Sequence, residues 1–335
     1  MDALPFSTLV NIKTQYDFEE AALLTFARQF AFNPVYRAYC DLINCPPSSV
    51  SSIETIPFLP LSLFKTRRIV TQEKAIECIF RSSGTTDASP SQHYITDLGL
   101  YEASFRTAFH FHYGAPKDWV VLALLPSYLE RKDASLVYMV ADLIQQTKRK
   151  ESGFYLTDFD ALSQQLQKLE AQGQQTLLIG VSFALLDFAA AHPQNLHHTV
   201  VMETGGMKGR RKELIRNELH RILKDQLGCQ AVHSEYGMTE LLSQAYAKEK
   251  GVFVPPPWMQ VLVRDPSDPF SYLSNQQTGG LNIIDLANQN SCSFVSTQDM
   301  GKRYNDGSFE VLGRFDAAEV RGCNLMVGAT TPDKV

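Results

Sequence analysis

Apolar and polar positions along the chain change their spacing twice, near residues 75 and 250. Residues 1–75 are irregular and helix-rich: 18–32 carries helix formers around apolar positions, Pro46-Pro47 breaks the pattern, and Pro57 and Pro60 keep the next stretch extended. From 76 to about 250, short apolar runs alternate with helix-spaced stripes. Strands are predicted at 76–80, 119–125, 176–179, 199–202 and 230–233, and helices at 101–109, 183–191 and 211–227. The run 119–125 is apolar throughout and stops at Pro126, as a strand buried on both faces does. Asp133 is placed to cap a helix with Leu136, Met139, Val140 and Leu143 on one face, and Asp160 to cap another with Leu162, Leu166 and Leu169. Strands alternating with helices imply a parallel sheet with right-handed crossovers. Beyond 251 helix signals vanish. Strands are predicted at 281–286, 293–297 and 309–312, with a hairpin turn at Asp306-Gly307.

Composition narrows the function classes. The 335 residues are 44% hydrophobic and 20% charged, a globular balance. With 31 basic and 36 acidic residues the net charge is −5, so a nucleic-acid partner is not the expectation. No basic segment leads into an apolar run at the N-terminus, and no stretch of 18 apolar residues occurs, so neither a signal peptide nor a transmembrane segment is expected. The six cysteines are scattered without metal-ligand spacing, as free thiols in a cytoplasmic protein would be.

Five short motifs carry candidate chemistry. Ser82-Ser83-Gly84-Thr85-Thr86-Asp87 follows a strand, and its small and hydroxylic residues suit close approach to phosphate, although it has no P-loop Gly-Lys ending. Glu203-Thr204-Gly205-Gly206 ends another strand, where open α/β sheets place ligands. Tyr236-Gly237-Met238-Thr239-Glu240 offers a ring for a base, a hydroxyl for phosphate and a carboxylate for Mg²⁺. Thr297-Gln298-Asp299 sets a carboxylate just past a strand, able to accept from two ribose hydroxyls. Gly313-Arg314-Phe315-Asp316 and Arg321-Gly322 put two arginines near a turn. Taken singly each is equally a turn, a helix cap or a surface ion pair. His93 and His233 flank the motifs and could line a site; His110 and His112 lie at a predicted helix end, and all four are more often structural.

The order of the five motifs resembles the AMP-forming adenylating superfamily of acyl-CoA synthetases, luciferases and peptide-synthetase adenylation domains. Within it, residues 80–86, Leu125-Pro126-Ser127-Tyr128-Leu129-Glu130-Arg131 and Glu319-Val320-Arg321-Gly322-Cys323-Asn324-Leu325 look like the acyl-protein synthetase of bacterial luminescence fatty-acid reductase, from about residue 60 onward. The resemblance implies an α/β adenylating-enzyme large-domain core: a helical lead-in (1–75), a nucleotide-binding body with a parallel sheet flanked by helices (76–250), and a β-rich flank completing the same site (251–335). It implies activation of a carboxylic, fatty acid as acyl-AMP using ATP and Mg²⁺. The acyl group would pass to an enzyme cysteine and on to a partner such as a reductase or carrier protein. Carried over by position, Ser82, Ser83, Gly84, Thr85 and Thr86 would wrap the β/γ-phosphates. Gly205 and Gly206 would lie against adenine with Tyr236 stacked on it and Gly237 beside it. Thr239 would contact the α-phosphate, Glu240 would hold the metal, Asp299 the ribose, Arg314 the ribose or phosphate, and Cys323 the acyl group. Arg321 would lower the thiol pKa. The sequence departs from the pattern in Asp87 and Gln298, where Gly is usual. With 13 residues after Gly322 (323–335), the usual lid domain with its catalytic lysine is expected to be lacking. Transfer to CoA or an acyl-carrier protein, and a non-catalytic nucleotide or acyl binder, are the alternatives.

Overall fold

The computed structural model describes residues 2–82, 89–125, 133–205 and 214–315. Its centre is a six-stranded sheet in the order Gly153–Phe154, Val120–Leu124, Thr176–Val181, Thr199–Thr204, Val232–Tyr236, Ala245–Ala247. The first five strands run parallel and the last is antiparallel. Val120–Leu124 and Thr176–Val181 are buried at every position. That is why their sequences read as unbroken apolar runs. Helices fill the connections: Leu98–Tyr113, Ser135–Thr147, Phe159–Ala171, Ser182–Ala191 and Arg216–Leu227.

A second sheet holds Val252–Phe253, Phe309–Arg314, Phe294–Arg303, Gly279–Asp285 and Met259–Arg264 in antiparallel order, with Leu59–Pro60 joining Phe294–Arg303 in parallel. Gly307, at φ 85°, makes the turn between Phe294–Arg303 and Phe309–Arg314. A third, two-stranded unit pairs Cys78–Arg81 with Gln92–Ile95.

The N-terminal helices Gln15–Phe32 and Pro34–Leu42 are fixed to the second sheet. Thr14 and Asp17 close a capping box on the first helix, and Asn33 caps the second. Arg28, Gln29 and Asn33 then donate to the carbonyls of Gln289, Asn288 and Ser291. Phe26, Tyr36 and Phe58 pack around Phe294 with ring centroids 6.0–6.4 Å apart.

Several sequence expectations are corrected. Asp133 does not cap its helix: Ala134 holds the cap position, and Asp133 pairs with Arg81 at 3.3 Å. Asp158, not Asp160, caps the next helix by accepting from Ala161 N. The motif tyrosine lies inside a strand, because Val232–Tyr236 starts and ends later than 230–233. No helix follows it; the chain turns through 237–244 into Ala245–Ala247, so Thr239 caps nothing. Asp299 likewise lies within Phe294–Arg303 rather than past its end.

Candidate active site

The C-terminal ends of Thr199–Thr204 and Val232–Tyr236 meet the second sheet, and the motif residues collect there. Tyr236 points toward that sheet. Its ring lies edge-on to Phe309 at 5.4 Å and tilted against Phe253 at 5.6 Å, and its hydroxyl donates to Asp299 Oδ2 at 2.7 Å. Asp299 sits opposite Arg314 in the strand register, with Arg314 Nε 3.6 Å from Oδ1. The Asp299 side chain is 13% exposed and that of Arg314 is 68% exposed, so the carboxylate is held while the guanidinium reaches outward. Burial raises the Asp299 carboxyl above the ordinary range, against the lowering pull of Tyr236 and Arg314.

The loop after Tyr236 is fixed by groups that carry no motif. Asp285 accepts from Leu242 N, Ser243 N and Ser243 Oγ. His93 contacts the Thr239 carbonyl at 2.8 Å and Asn288 Oδ1 at 3.0 Å, and Asn288 Nδ2 donates to the Glu240 carbonyl at 2.8 Å. Burial pushes His93 down to about 4, so it is neutral at ordinary pH and its single ring N–H donates to one of these two oxygens. Glu240 is buried, which raises its carboxyl, with the Ser91 hydroxyl pulling it the other way. Ser91 also pairs with Ser82: Ser82 N donates to Ser91 O at 3.1 Å, and Ser91 N to Ser82 Oγ at 2.9 Å.

On the neighbouring strand, Gly205 adopts φ 67°, a conformation glycine takes without strain, and its carbonyl accepts from Ser182 Oγ at 2.6 Å. Burial would raise Glu203, but His220, Arg216 and Ser234 outweigh it and hold the carboxyl low. Arg216 Nη1 also donates to Val311 O at 2.8 Å, tying this strand end to the second sheet. His233 stands earlier on its strand, bonded to the Tyr113 hydroxyl at 3.1 Å, away from the strand end; His110 and His112 lie in the last turn of Leu98–Tyr113.

Of the sequence candidates, the structure brings Ser82, Gly205, Tyr236, Gly237, Thr239, Glu240, Asp299 and Arg314 around one region. Ser83, Gly84, Thr85, Thr86, Gly206 and Cys323 lie outside the described residues, as do Asp87 and Arg321. Asp285, Asn288 and Glu235 went unmarked by the motifs. The signal for Asp285 was an acidic residue closing the mainly apolar run Leu281-Asn282-Ile283-Ile284.

Residues 1–100 match the model of one family, the acyl-protein synthetases LuxE. The resemblance drawn from the motifs is borne out by that match. The matched stretch begins at residue 1, well before residue 60, and takes in the whole helical lead-in. No curated protein sequence matches the chain. Among solved structures, ATP-bound MatB from Rhodopseudomonas palustris is similar at 20% identity and TM-score 0.52, over 73% of this chain and 50% of that one. An open conformation of 2-hydroxyisobutyryl-CoA ligase with 2-HIB-AMP and CoA is similar at 13% identity and TM-score 0.66, over 93% of this chain and 75% of that one. The chain thus spans half the length of the MatB structure. These likenesses show the fold, an adenylating-enzyme core.

Proposed function

We propose that this acyl-protein synthetase relative activates a carboxylic acid as acyl-AMP and transfers the acyl group to a thiol. The observation that supports the reading is the gathering of the Tyr236–Asp299 pair and the buried Glu240 after one strand end, where a ribose acceptor and a metal-type carboxylate would be needed. Asp299 would accept from the ribose hydroxyls of ATP, with Arg314 reaching the ribose or phosphates. Tyr236 holds Asp299 through its hydroxyl, so it orients the ribose acceptor as well as offering a ring edge to the base. Gly205, Gly206 and Gly237 would give adenine an unobstructed surface. Thr239 would contact the α-phosphate, and the hydroxyls and amides of 82–86 would wrap the β/γ-phosphates.

Mg²⁺ fits the donor set in one way. Among the described residues no cluster of three or more His, Cys, Asp or Glu could hold a metal alone. A single buried carboxylate, Glu240, suits an ion that completes its shell with water and nucleotide phosphates, the habit of Mg²⁺. Bound there, the ion would supply charge neutralisation at the phosphates. The chain's own work is positioning: attack of the acid oxygen on the α-phosphorus expels pyrophosphate, and the rate gain comes from alignment and charge stabilisation.

In the second half-reaction a thiolate attacks the acyl carbonyl and AMP leaves. We assign Cys323 as that thiol and a reductase or carrier protein as the onward acceptor, following the family pattern, which also makes the acid a fatty one. Three stretches, 1–75, 76–250 and 251–335, would serve a single site in a cytoplasmic enzyme. Because a fold neighbour was solved with CoA, direct transfer to CoA is the second reading. The test is incubation with ATP, Mg²⁺ and radiolabelled acid, then denaturation. Label should stay on the wild-type chain, be released by hydroxylamine, and be lost in Cys323→Ala. Unlabelled protein with acyl-CoA formed on adding CoA would favour the second reading.

A further inference from the structure

The strand end that carries Tyr236 has two faces, and only one is used by the nucleotide reading. Side chains alternate along a strand, so Glu235 projects away from Tyr236, Asp299 and the second sheet. Its direct neighbours are Thr204 on one side and Tyr246 on the other. Glu235 is buried and accepts from the Thr204 hydroxyl. Apart from that bond, the charge that bears on it is a second carboxylate, Glu203. Burial, with Glu203 adding to it, lifts the Glu235 carboxyl to about 7.

Two further polar atoms are stranded here. Tyr246 Oη and Gln244 Oε1 are buried with no hydrogen-bond partner among the described residues. Tyr246 faces Glu235 across the ladder. Gln244 and Glu235 both flank Gly237: a Cβ on that glycine would lie 3.3 Å from Gln244 Cγ and 2.5 Å from Glu235 Oε1. Gly237 itself is exposed. The Glu235 carboxyl thus stands just behind the exposed backbone of the motif loop, with nothing but a hydrogen atom between them. Buried polar groups without partners are rare in folded proteins and mark places where a ligand or ordered water completes the bonding.

We infer that Glu235, with Tyr246 and Gln244, forms a polar wall that selects an acid carrying a hydrogen-bond donor, a hydroxyl or an amine, on its acyl part. The inference rests on the adenylation reading: the nucleotide takes the Tyr236 face of the strand end, and the acyl part leaves toward the opposite one. It departs from a plain alkyl chain, which would bury against these groups and leave Tyr246 Oη and Gln244 Oε1 without partners and Glu235 with its Thr204 bond alone. Hydroxylated fatty acids satisfy it as well as short hydroxy or amino acids do. Glu235 is a specificity-determining residue here; the bonds made and broken remain those of adenylation.

The experiment is ATP–pyrophosphate exchange with acids matched in length: butanoate against 3-hydroxybutanoate and 4-aminobutanoate, and octanoate against 3-hydroxyoctanoate. The wild type should favour one donor-bearing member of a pair by at least about tenfold in kcat/KM, since a site built to bond a donor rejects the analogue lacking it. In Glu235→Leu that ratio should fall toward one through the acid KM, with the KM for ATP held. Should Glu235→Leu fail to fold, Tyr246→Phe, which removes one oxygen at constant shape, should lower the same ratio several-fold. Equal or better exchange with the plain acids overturns the inference and leaves adenylation standing. A preference that survives both substitutions overturns it too. No exchange with any acid overturns adenylation along with it.

Discussion

Asp299 is the residue on which the nucleotide reading turns. It is nearly buried, fixed by Tyr236 and set across the ladder from Arg314. Asp299→Ala removes a charged acceptor, and loss of a hydrogen bond to a charged group is worth about 1.5–3 kcal/mol. The KM for ATP in exchange should therefore rise about ten- to a hundredfold; an unchanged KM would place the ribose elsewhere. Gly237→Ala should also damage the site, because its Cβ would arrive 2.5 Å from Glu235 Oε1. Exchange with every acid should fall while the thermal midpoint shifts little, and an Ala variant with full activity would contradict the close approach. At this scale the sequence was informative about which residues converge and silent about their supports. Tyr236, Glu240 and Asp299 stand in ordered motifs. Asp285, Asn288 and His93 act through backbone carbonyls and amides far away in the chain, a role that leaves no local pattern.

Elements were legible where burial left an unbroken apolar run. Val120–Leu124 and Thr176–Val181 announce themselves because both faces are covered. The hairpin of Cys78–Arg81 with Gln92–Ile95 was half missed: its second strand is four residues, Gln-His-Tyr-Ile, with two of them polar. Phe294–Arg303 runs past its predicted end because Asp299 and Lys302 continue the ladder opposite Arg314 and Glu310, polar pairs that no apolar alternation marks. Met259–Arg264 follows three prolines and was not anticipated. The turn between Val232–Tyr236 and Ala245–Ala247 depends on Asp285, which is fully buried and accepts three bonds from Leu242 and Ser243. Asp285→Ala strands those donors at about 1–3 kcal/mol each. Urea unfolding should show a loss of about 3 kcal/mol or more. A loss below about 1 kcal/mol would mean the turn is held by something else.

At the scale of the molecule, the lead-in, the parallel sheet and the second sheet are bound through one buried hub, the 288–293 turn, which takes bonds from Arg28, Gln29, Asn33 and His93. Among the described residues no helix is long and apolar enough to cross a membrane. Buried titratable groups give stability a pH dependence whose parts have opposite signs. Burial holds His93, His112 and His233 near 4, against about 6.5 unfolded. Each binds fewer protons folded than unfolded in that window, so stability is complete above about 6.5 and is lost as pH falls toward 4. Glu235 has the opposite sign: raised from 4.5 to about 7, it stabilises at low pH and loses that contribution as pH rises through the interval. Burial raises Glu240, Asp285 and Asp299 as well, with the sign of Glu235, so the test is made by substitution: Glu235→Gln should lose more urea midpoint than the wild type does on acidification from 6.5 to 4. A midpoint change identical in the variant and the wild type contradicts the raised carboxyl of Glu235.

Acid activation at the AMP level is the centre of the account, and isotope exchange between pyrophosphate and ATP reads it without need of any acceptor. Purified protein with ATP, Mg²⁺ and labelled pyrophosphate should form labelled ATP only when a carboxylic acid is added, and Asp299→Ala should abolish most of that signal at limiting ATP. Exchange that ignores the acid, or none with plain, hydroxylated and amino acids alike, would contradict adenylation.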